Sequence, residues 1–386
     1  MELENYKKKI GKNKNKKIIV LSSHTPSLFW FRMDMMKEFQ RKGYEVIAVG
    51  NEPEDEWKEK FHENNIRYYR ARISRNGTNP IRDLETLISL YSILKQEMPN
   101  KIFAYQAKTV IYGSLAAKLL AIKEIYPLIA GVGSIFLSNS FKTKVLRLIL
   151  TTEYRIAMKK CPKIFFQNRD DVEVFKKYHI VKEKQVAMMH GSGVNLEKYQ
   201  VLDLPKSTSF LCISRLIRDK GVYEYLEACR QIHRLFPEVR CMLVGPFDSN
   251  PSAIREEELN SFIEDGSIEY FGEQEDVRPY IAQASVFVLP SYREGTPKTV
   301  LEAMASGRAV ITTDAPGCRE TVIDGENGFL VPIQNVDSIV EKMKLFIEKP
   351  ELISKMASVG RKRVEEIFDV NKVNDYVIKT MKLDSL

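Results

Sequence analysis

Short apolar runs alternate along this chain with stretches whose apolar side chains recur every three to four residues. That pattern predicts buried strands separated by amphipathic helices. Lys17 to Leu21 (KIIVL) is the first continuous run, followed by a loop, SSHTPSLFWFR. An amphipathic helix over Met33 to Lys42 then ends at Gly43, and Tyr44 to Val49 is the second strand. This is a β-α-β unit of the doubly wound kind. Ile66 to Arg72 and Lys101 to Tyr105 read as further strands, with a helix over Ile81 to Gln96 between them. Lys163 to Gln167 is another strand, followed by Asn168, and Val186 to Val194 closes this half. The second half repeats the alternation at Ser209 to Ile213, Arg240 to Val244, Ile268 to Phe271, Val286 to Leu289 and Ala309 to Thr313. The expected division is residues 1–190 and 191–367, with a helical, charged tail, 368–386, that packs back on the first domain.

The stretch Ser285 to Pro332 carries the densest chemistry. A strand, Val286 to Leu289, leads into a polar loop ending at Gly295. Thr296 reads as a helix cap and Pro297 as the first helical residue. The helix continues through Leu301, Glu302 and Met304 and stops at Gly307. A helix start with free N–H groups favours an anion, and Glu294 and Glu302 add two carboxylates beside it. Such a set suits a phosphate-bearing ligand that also has hydroxyls.

Composition narrows the setting. A length of 386 residues accommodates two ordinary domains, and a hydrophobic fraction of 44% is that of a globular protein. No apolar run reaches membrane-spanning length, and no h-region of a signal peptide is visible. Five unpaired-looking cysteines predict reduced thiols in the cytoplasm rather than a disulfide frame or a zinc site. The net charge of +8 conceals an asymmetry. Residues 1–190 hold 35 Lys and Arg against 20 Asp and Glu, a net of +15, whereas the remainder has a net of −7. A basic half suits an anionic partner. Two segments concentrate it: a basic arm over residues 1–17, rich in lysine from Lys7 to Lys17, and a helical stretch, 139–163, mixing Val145, Leu148 and Ile149 with Arg147, Lys159 and Lys160. Both fit peripheral attachment to the anionic inner face of a membrane. A solubilising tail and a core helix with a solvated basic face account for them equally well. No nucleic-acid motif is present.

Ligands of open parallel sheets bind outside the carboxyl ends of the strands. Arg215, Lys220, Gly245, Gly272, Glu294 and Gly295 all follow expected strands and so belong on one edge. Arg215 and Lys220 could clamp a diphosphate, one by a fork of donors and one as a point charge. In the first half, His24 lies in the loop after the first strand, and Gly131 and Gly133 permit close backbone approach. No Asp-x-Asp pair, metal-spaced histidine set, nucleophile elbow or Walker loop is present, so neither metal nor cofactor is expected.

SYREGTPKTVLEAMASGRAVITTDAPGCRETVIDGENGFLVP resembles the retaining nucleotide-sugar glycosyltransferases of family GT4, which have the GT-B fold; ISRLIRDKG and HGSGVNLEKY are similar to two further parts of that family. The resemblance spans nearly the whole chain. It implies an α/β protein of two Rossmann-like domains facing a cleft. It assigns the donor diphosphate to Arg215 and Lys220, the ribose to Glu302, the transferred sugar to Glu294, and backbone contacts to Gly295, Thr296 and Pro297. It brings His24 toward donor and acceptor. SSHTPSLFWFRM, GSLAAK, AGVGSIF and VGPFDSNPSA are also similar to transferases extending lipid-diphosphate-linked glycans. Those enzymes often carry a histidine before the lysine matching Lys108; here that position is Ala107. The expected reaction moves a HexNAc or hexose from a nucleotide-sugar, UDP-linked, to a lipid-linked glycan acceptor, without metal. A nucleotide-sugar 2-epimerase or hydrolase, and a non-catalytic membrane-bound nucleotide-sugar binder, are the alternatives.

Overall fold

Sheets assembled from continuous apolar strands must be covered on both faces, and both halves of this chain meet that demand in the same way. The computed structural model describes residues 16–384 apart from 75, 76, 78, 133–135 and 137–140. Gly133 and most of the basic arm lie outside the described residues. The chain divides into two compact units, one running to Met189 and taking back Asn374 onward, the other spanning His190–Val373.

The first unit is a seven-stranded parallel sheet ordered β3-β2-β1-β4-β5-β6-β7. Its strands are β1 Lys17–Leu21, β2 Glu45–Gly50, β3 Arg67–Arg70, β4 Lys101–Tyr105, β5 Glu124–Ile129, β6 Ile164–Phe166 and β7 Val186–Met188. The helices are α1 Thr25–Arg41, α2 Glu54–His62, α3 Pro80–Glu97, α4 Ser114–Leu119, α5 Phe141–Met158 and α6 Arg169–Lys177, with a π turn over Thr109–Gly113 ahead of α4. β1 pairs with β2 (Ile18 opposite Val46) and with β4 (Ile18 opposite Lys101), so the connections leave β1 and β4 in opposite directions. That is the topological switch point of the sheet. Ile19, Leu21, Ile102 and Ala104 pack one face against Leu90, Leu94 and Ile111.

The second unit is a six-stranded parallel sheet ordered β10-β9-β8-β11-β12-β13. Its strands are β8 Ser209–Ile213, β9 Arg240–Val244, β10 Glu269–Tyr270, β11 Val286–Leu289, β12 Ala309–Thr313 and β13 Gly328–Val331. Its helices are α7 Val222–Leu235, α8 Glu256–Glu264, α9 Arg278–Ala282, α10 Lys298–Ala305, α11 Val336–Glu348 and α12 Glu351–Arg363. The last helix, α13 Val370–Thr380, contains the point of division. Val370 N–H still bonds Val194 O at 3.0 Å in the second unit. Tyr376 packs edge-on to Phe165, and Lys101 Nζ donates to Met381 O at 2.9 Å in the first.

Two expectations about local structure are corrected. α1 begins at Thr25, eight residues before Met33, so most of SSHTPSLFWFR is helix and not loop. Pro26 in the first turn is pre-set for a helix, Glu52 takes the Thr25 N–H, and Leu28 is buried. Apolar periodicity is hidden here because Phe29, Trp30 and Phe31 run consecutively. The helix expected from Pro297, with Thr296 as its cap, starts one residue later at Lys298, with Pro297 as the extended cap residue at φ −70° and ψ 110°. The Thr296 hydroxyl makes no cap bond.

Candidate active site

In the second unit the carboxyl ends of β8, β9 and β11 bring the expected donor residues onto one edge. Gly245 directly follows β9, and a Cβ there would lie 1.8 Å from Ser214 O, so only glycine lets the two strand-end loops pass. Gly245 N–H bonds Gly272 O at 2.8 Å, placing Gly272 beside it after β10. Arg215, two residues past β8, pairs through NH1 with Asp248 Oδ2 at 2.8 Å. The loop carrying Asp248 is stitched to the Arg215 loop by Leu216 N–H to Pro246 O at 3.0 Å and Arg218 N–H to Ser252 O at 2.8 Å.

Lys220 closes a 3₁₀ turn, Arg218–Lys220, and its ammonium is ion-paired with Glu294. Gly221 allows that pairing. It has φ +69°, and a Cβ there would meet Pro290 O at 2.0 Å, so the loop after β11 lies directly against it. Tyr292 N–H to Asp219 O at 2.9 Å and Glu294 N–H to Pro316 O at 2.9 Å fix the loop on both sides. Lys220 and Glu294, expected to serve different parts of one ligand, are thus neighbours in a single pair.

Gly295 and Thr296 continue this loop. The Thr296 hydroxyl oxygen is buried and has no hydrogen-bond partner, and Gly191 packs against the threonine. Glu302 lies on α10 and is 6% exposed. Burial pushes its carboxyl above the usual range, against the pull of Lys298 (Nζ to Oε1 3.8 Å) and the Tyr199 hydroxyl. Tyr199, itself buried, and Asp248 were not singled out by sequence reasoning; they lie in HGSGVNLEKY and VGPFDSNPSA, but no spacing in those stretches pairs them with Glu302 or Arg215.

In the first unit, His24 and Gln106 follow β1 and β4 at the switch point, while Gly131 and Asn168 follow β5 and β6. His24 occupies the N-cap position of α1 without a side-chain cap bond, and its Nδ1 lies 3.2 Å from Glu52 Oε1. Burial would raise the Glu52 carboxyl, but hydrogen bonds from His24 and Thr25 hold it down at about 2. Gln106, after β4 in a left-handed conformation (φ 71°), accepts from Ser22 Oγ at 2.9 Å, Ser23 N–H at 2.8 Å and Ser23 Oγ at 2.7 Å. Lys108 precedes the π turn and is ion-paired with Asp83 of α3. Gly131 sits in an exposed loop after β5 at φ +138°. Asn168 is fully buried, and its Oδ1 accepts Asp171 N–H at 2.8 Å to cap α6. Its Nδ2 also donates to Asp171 Oδ2 at 3.1 Å. Glu52 and Gln106 were also missed; each acts through a side chain reaching across from a neighbouring strand end.

Known proteins match this arrangement unit by unit. A family of glycosyl transferase 4-like domains matches residues 17–168, and the glycosyl transferases group 1 match residues 207–349. An N,N'-diacetylbacillosaminyl-diphospho-undecaprenol alpha-1,3-N-acetylgalactosaminyltransferase of Campylobacter jejuni is 29% identical over 346 residues, 86% of this chain and 89% of that one. A UDP-Gal:alpha-D-GlcNAc-diphosphoundecaprenol alpha-1,3-galactosyltransferase of Escherichia coli is 24% identical, covering 79% and 80%. Among solved structures, sucrose-phosphate synthase of Thermosynechococcus elongatus superposes with a TM-score of 0.77 at 16% identity, covering 95% of this chain and 98% of that one. Anabaena Alr3699/HepE in complex with UDP and glucose gives 0.75 at 16% identity, covering 95% and 100%. The fold is GT-B, and the protein is a glycosyltransferase. It belongs to the GT4-like, group 1 glycosyltransferases.

Proposed function

We propose that this enzyme transfers a HexNAc or hexose from a UDP-linked donor to a membrane lipid-diphosphate-linked glycan, with retention and without a metal ion. The ion pair between Lys220 and Glu294 carries the reading. It sets a cation for the departing diphosphate beside a carboxylate for the sugar. Arg215 adds a second cation to the same sheet edge, and Glu302 with Tyr199 offers a buried polar pair to the ribose. In the reaction the bond from the sugar C1 to the donor phosphate oxygen breaks and one from C1 to the acceptor oxygen forms. The acceptor's proton passes to the leaving phosphate oxygen on the same face, so no protein nucleophile is used. Arg215 and Lys220 stabilise the charge that develops on the diphosphate.

Relatives support the substrate class: the names of the Campylobacter and Escherichia enzymes both specify diphosphoundecaprenol-linked acceptors and alpha-1,3 linkages. An α-linked donor sugar passed into an α-linkage keeps its configuration. The first unit supplies a surface for a membrane-borne acceptor. α3 exposes Ile81, Leu84 and Ile88 in one stripe, and α5 exposes Val145, Leu148, Ile149 and Ile156 in another. Among the described residues no helix is long and apolar enough to cross a membrane. These stripes, with the basic side chains of the same unit, fit peripheral attachment to the cytoplasmic face.

The test is to incubate the protein with a panel of UDP- and GDP-sugars and extracted lipid-linked glycans. Mass gain on the lipid fraction, from a UDP-sugar, is expected. Donor consumption with no lipid product would instead establish an epimerase or hydrolase.

A further inference from the structure

His24 stands at the carboxyl end of β1, beside the point where connections diverge from β1 and β4. Its surroundings are more constrained than a loop histidine requires. Both oxygens of one carboxylate are committed to two consecutive residues: Glu52 Oε1 to His24 Nδ1 at 3.2 Å and Oε2 to Thr25 N–H at 2.6 Å. The Glu52 backbone is anchored by the Tyr68 hydroxyl, which donates to Glu52 O at 2.8 Å and shares a 2.8 Å hydrogen bond with Thr25 Oγ1. On the other side, Gln106 holds Ser22 and Ser23. The imidazole is 32% exposed, with the carboxylate set behind it. The other histidines of this unit close helices: His62 ends α2, and His179 follows α6.

We propose that Glu52 is a positioning residue for the transfer. It holds the His24 ring in the Nδ1–H form, so that Nε2 is the ring's acceptor and takes a hydrogen bond from a hydroxyl of the lipid-linked glycan other than the one that attacks. An ionised carboxylate can only accept, so the nitrogen facing it must carry the proton. Glu52 is ionised throughout the neutral range, since the His24 and Thr25 hydrogen bonds outweigh its burial and hold it at about 2. With alanine at 107, β4 supplies no imidazole at this end of the sheet, whereas β1 supplies one with a fixed tautomer. This inference rests on the transferase reading above.

The experiment uses the full-length protein with Glu52→Ala, His24→Ala and the double variant. Glu52→Ala is expected to lower kcat/KM for the lipid-linked acceptor by about 10- to 100-fold, the range for an orienting partner of a functional histidine, with the donor KM unchanged. In the His24→Ala background the same change should cost nothing further, the signature of a residue acting through another. Nitrogen NMR of His24 should report the Nδ1–H tautomer in wild type and a mixture in Glu52→Ala. If Glu52 only anchors the start of α1, thermal stability falls equally in both backgrounds, kcat/KM losses multiply and the tautomer is unmoved; that result overturns the inference. Wild-type protein inactive toward every acceptor would overturn the function with it. Active protein in which Lys220→Ala is dead while Glu52→Ala is normal would overturn this inference alone.

Discussion

Glu52 in the first unit and Glu302 in the second are both withdrawn from water, yet their proton affinities move in opposite directions. Burial opposes the charge in each case. Glu52 receives the Thr25 N–H and the His24 ring directly, and these prevail. Glu302 is more deeply buried, and its burial prevails over Lys298 at 3.8 Å and the Tyr199 hydroxyl. The balance of direct donors against depth of burial sets the direction in which each carboxyl moves. The same contrast extends to the two sheet edges. The second unit's edge holds formal charges in pairs, Lys220 with Glu294 and Arg215 with Asp248. The first unit's edge is a mostly neutral mesh of Ser22, Ser23, Ser27, Tyr105 and Gln106 around one histidine. Paired charges are suited to exchanging partners with a diphosphate, and a hydroxyl mesh to holding one ring still.

The comparison can be broken most severely at Lys220. Lys220→Ala should lower turnover at least ~100-fold, the scale of losing one preorganised charge stabiliser, while donor binding falls less. Near-normal turnover would remove the second unit's edge from the chemistry. Glu302→Gln comes next. Donor KM should rise about tenfold, the equivalent of roughly one hydrogen bond to a buried group. Its stability effect has a defined sign. A carboxyl raised above its usual value favours the fold fully below the unfolded pKa of 4.5 and loses that contribution as pH rises through the folded value. The glutamine variant should therefore melt higher than wild type at pH 7, with the gap closing below pH 4.5. Glu52→Ala should show the reverse, a melting deficit at pH 7 that shrinks as pH falls from 4.5 toward about 2. Parallel pH curves for the two variants would erase the contrast between the carboxylates. The smallest effect is expected at the apolar stripe. Leu148→Asp should weaken sedimentation with vesicles of anionic lipid by a few-fold, in line with partial loss of one buried leucine, and leave donor hydrolysis and folding unchanged.

The alternation of KIIVL, YEVIAV and their later counterparts located most of the strands, though not β5 or β13, because a parallel sheet buried on both faces must be written as continuous apolar runs. Gly245 was legible as a residue following a strand, and the structure adds that a side chain there, or at Gly221, would meet a backbone oxygen. The spacing of Glu294 and Glu302, with Arg215 and Lys220, was readable as one site because each follows a strand of one parallel sheet. Local pattern failed where an interaction from distant sequence took control: the start of α1 depends on Glu52, 27 residues away. The partners themselves are tertiary facts. No spacing in the chain pairs Asp248 with Arg215, Tyr199 with Glu302 or Glu52 with His24, because the sheet order that joins them is a property of packing. The sequence thus determined which chemical groups stand at the strand ends, and the fold decided which of them are paired, buried or held in one protonation state.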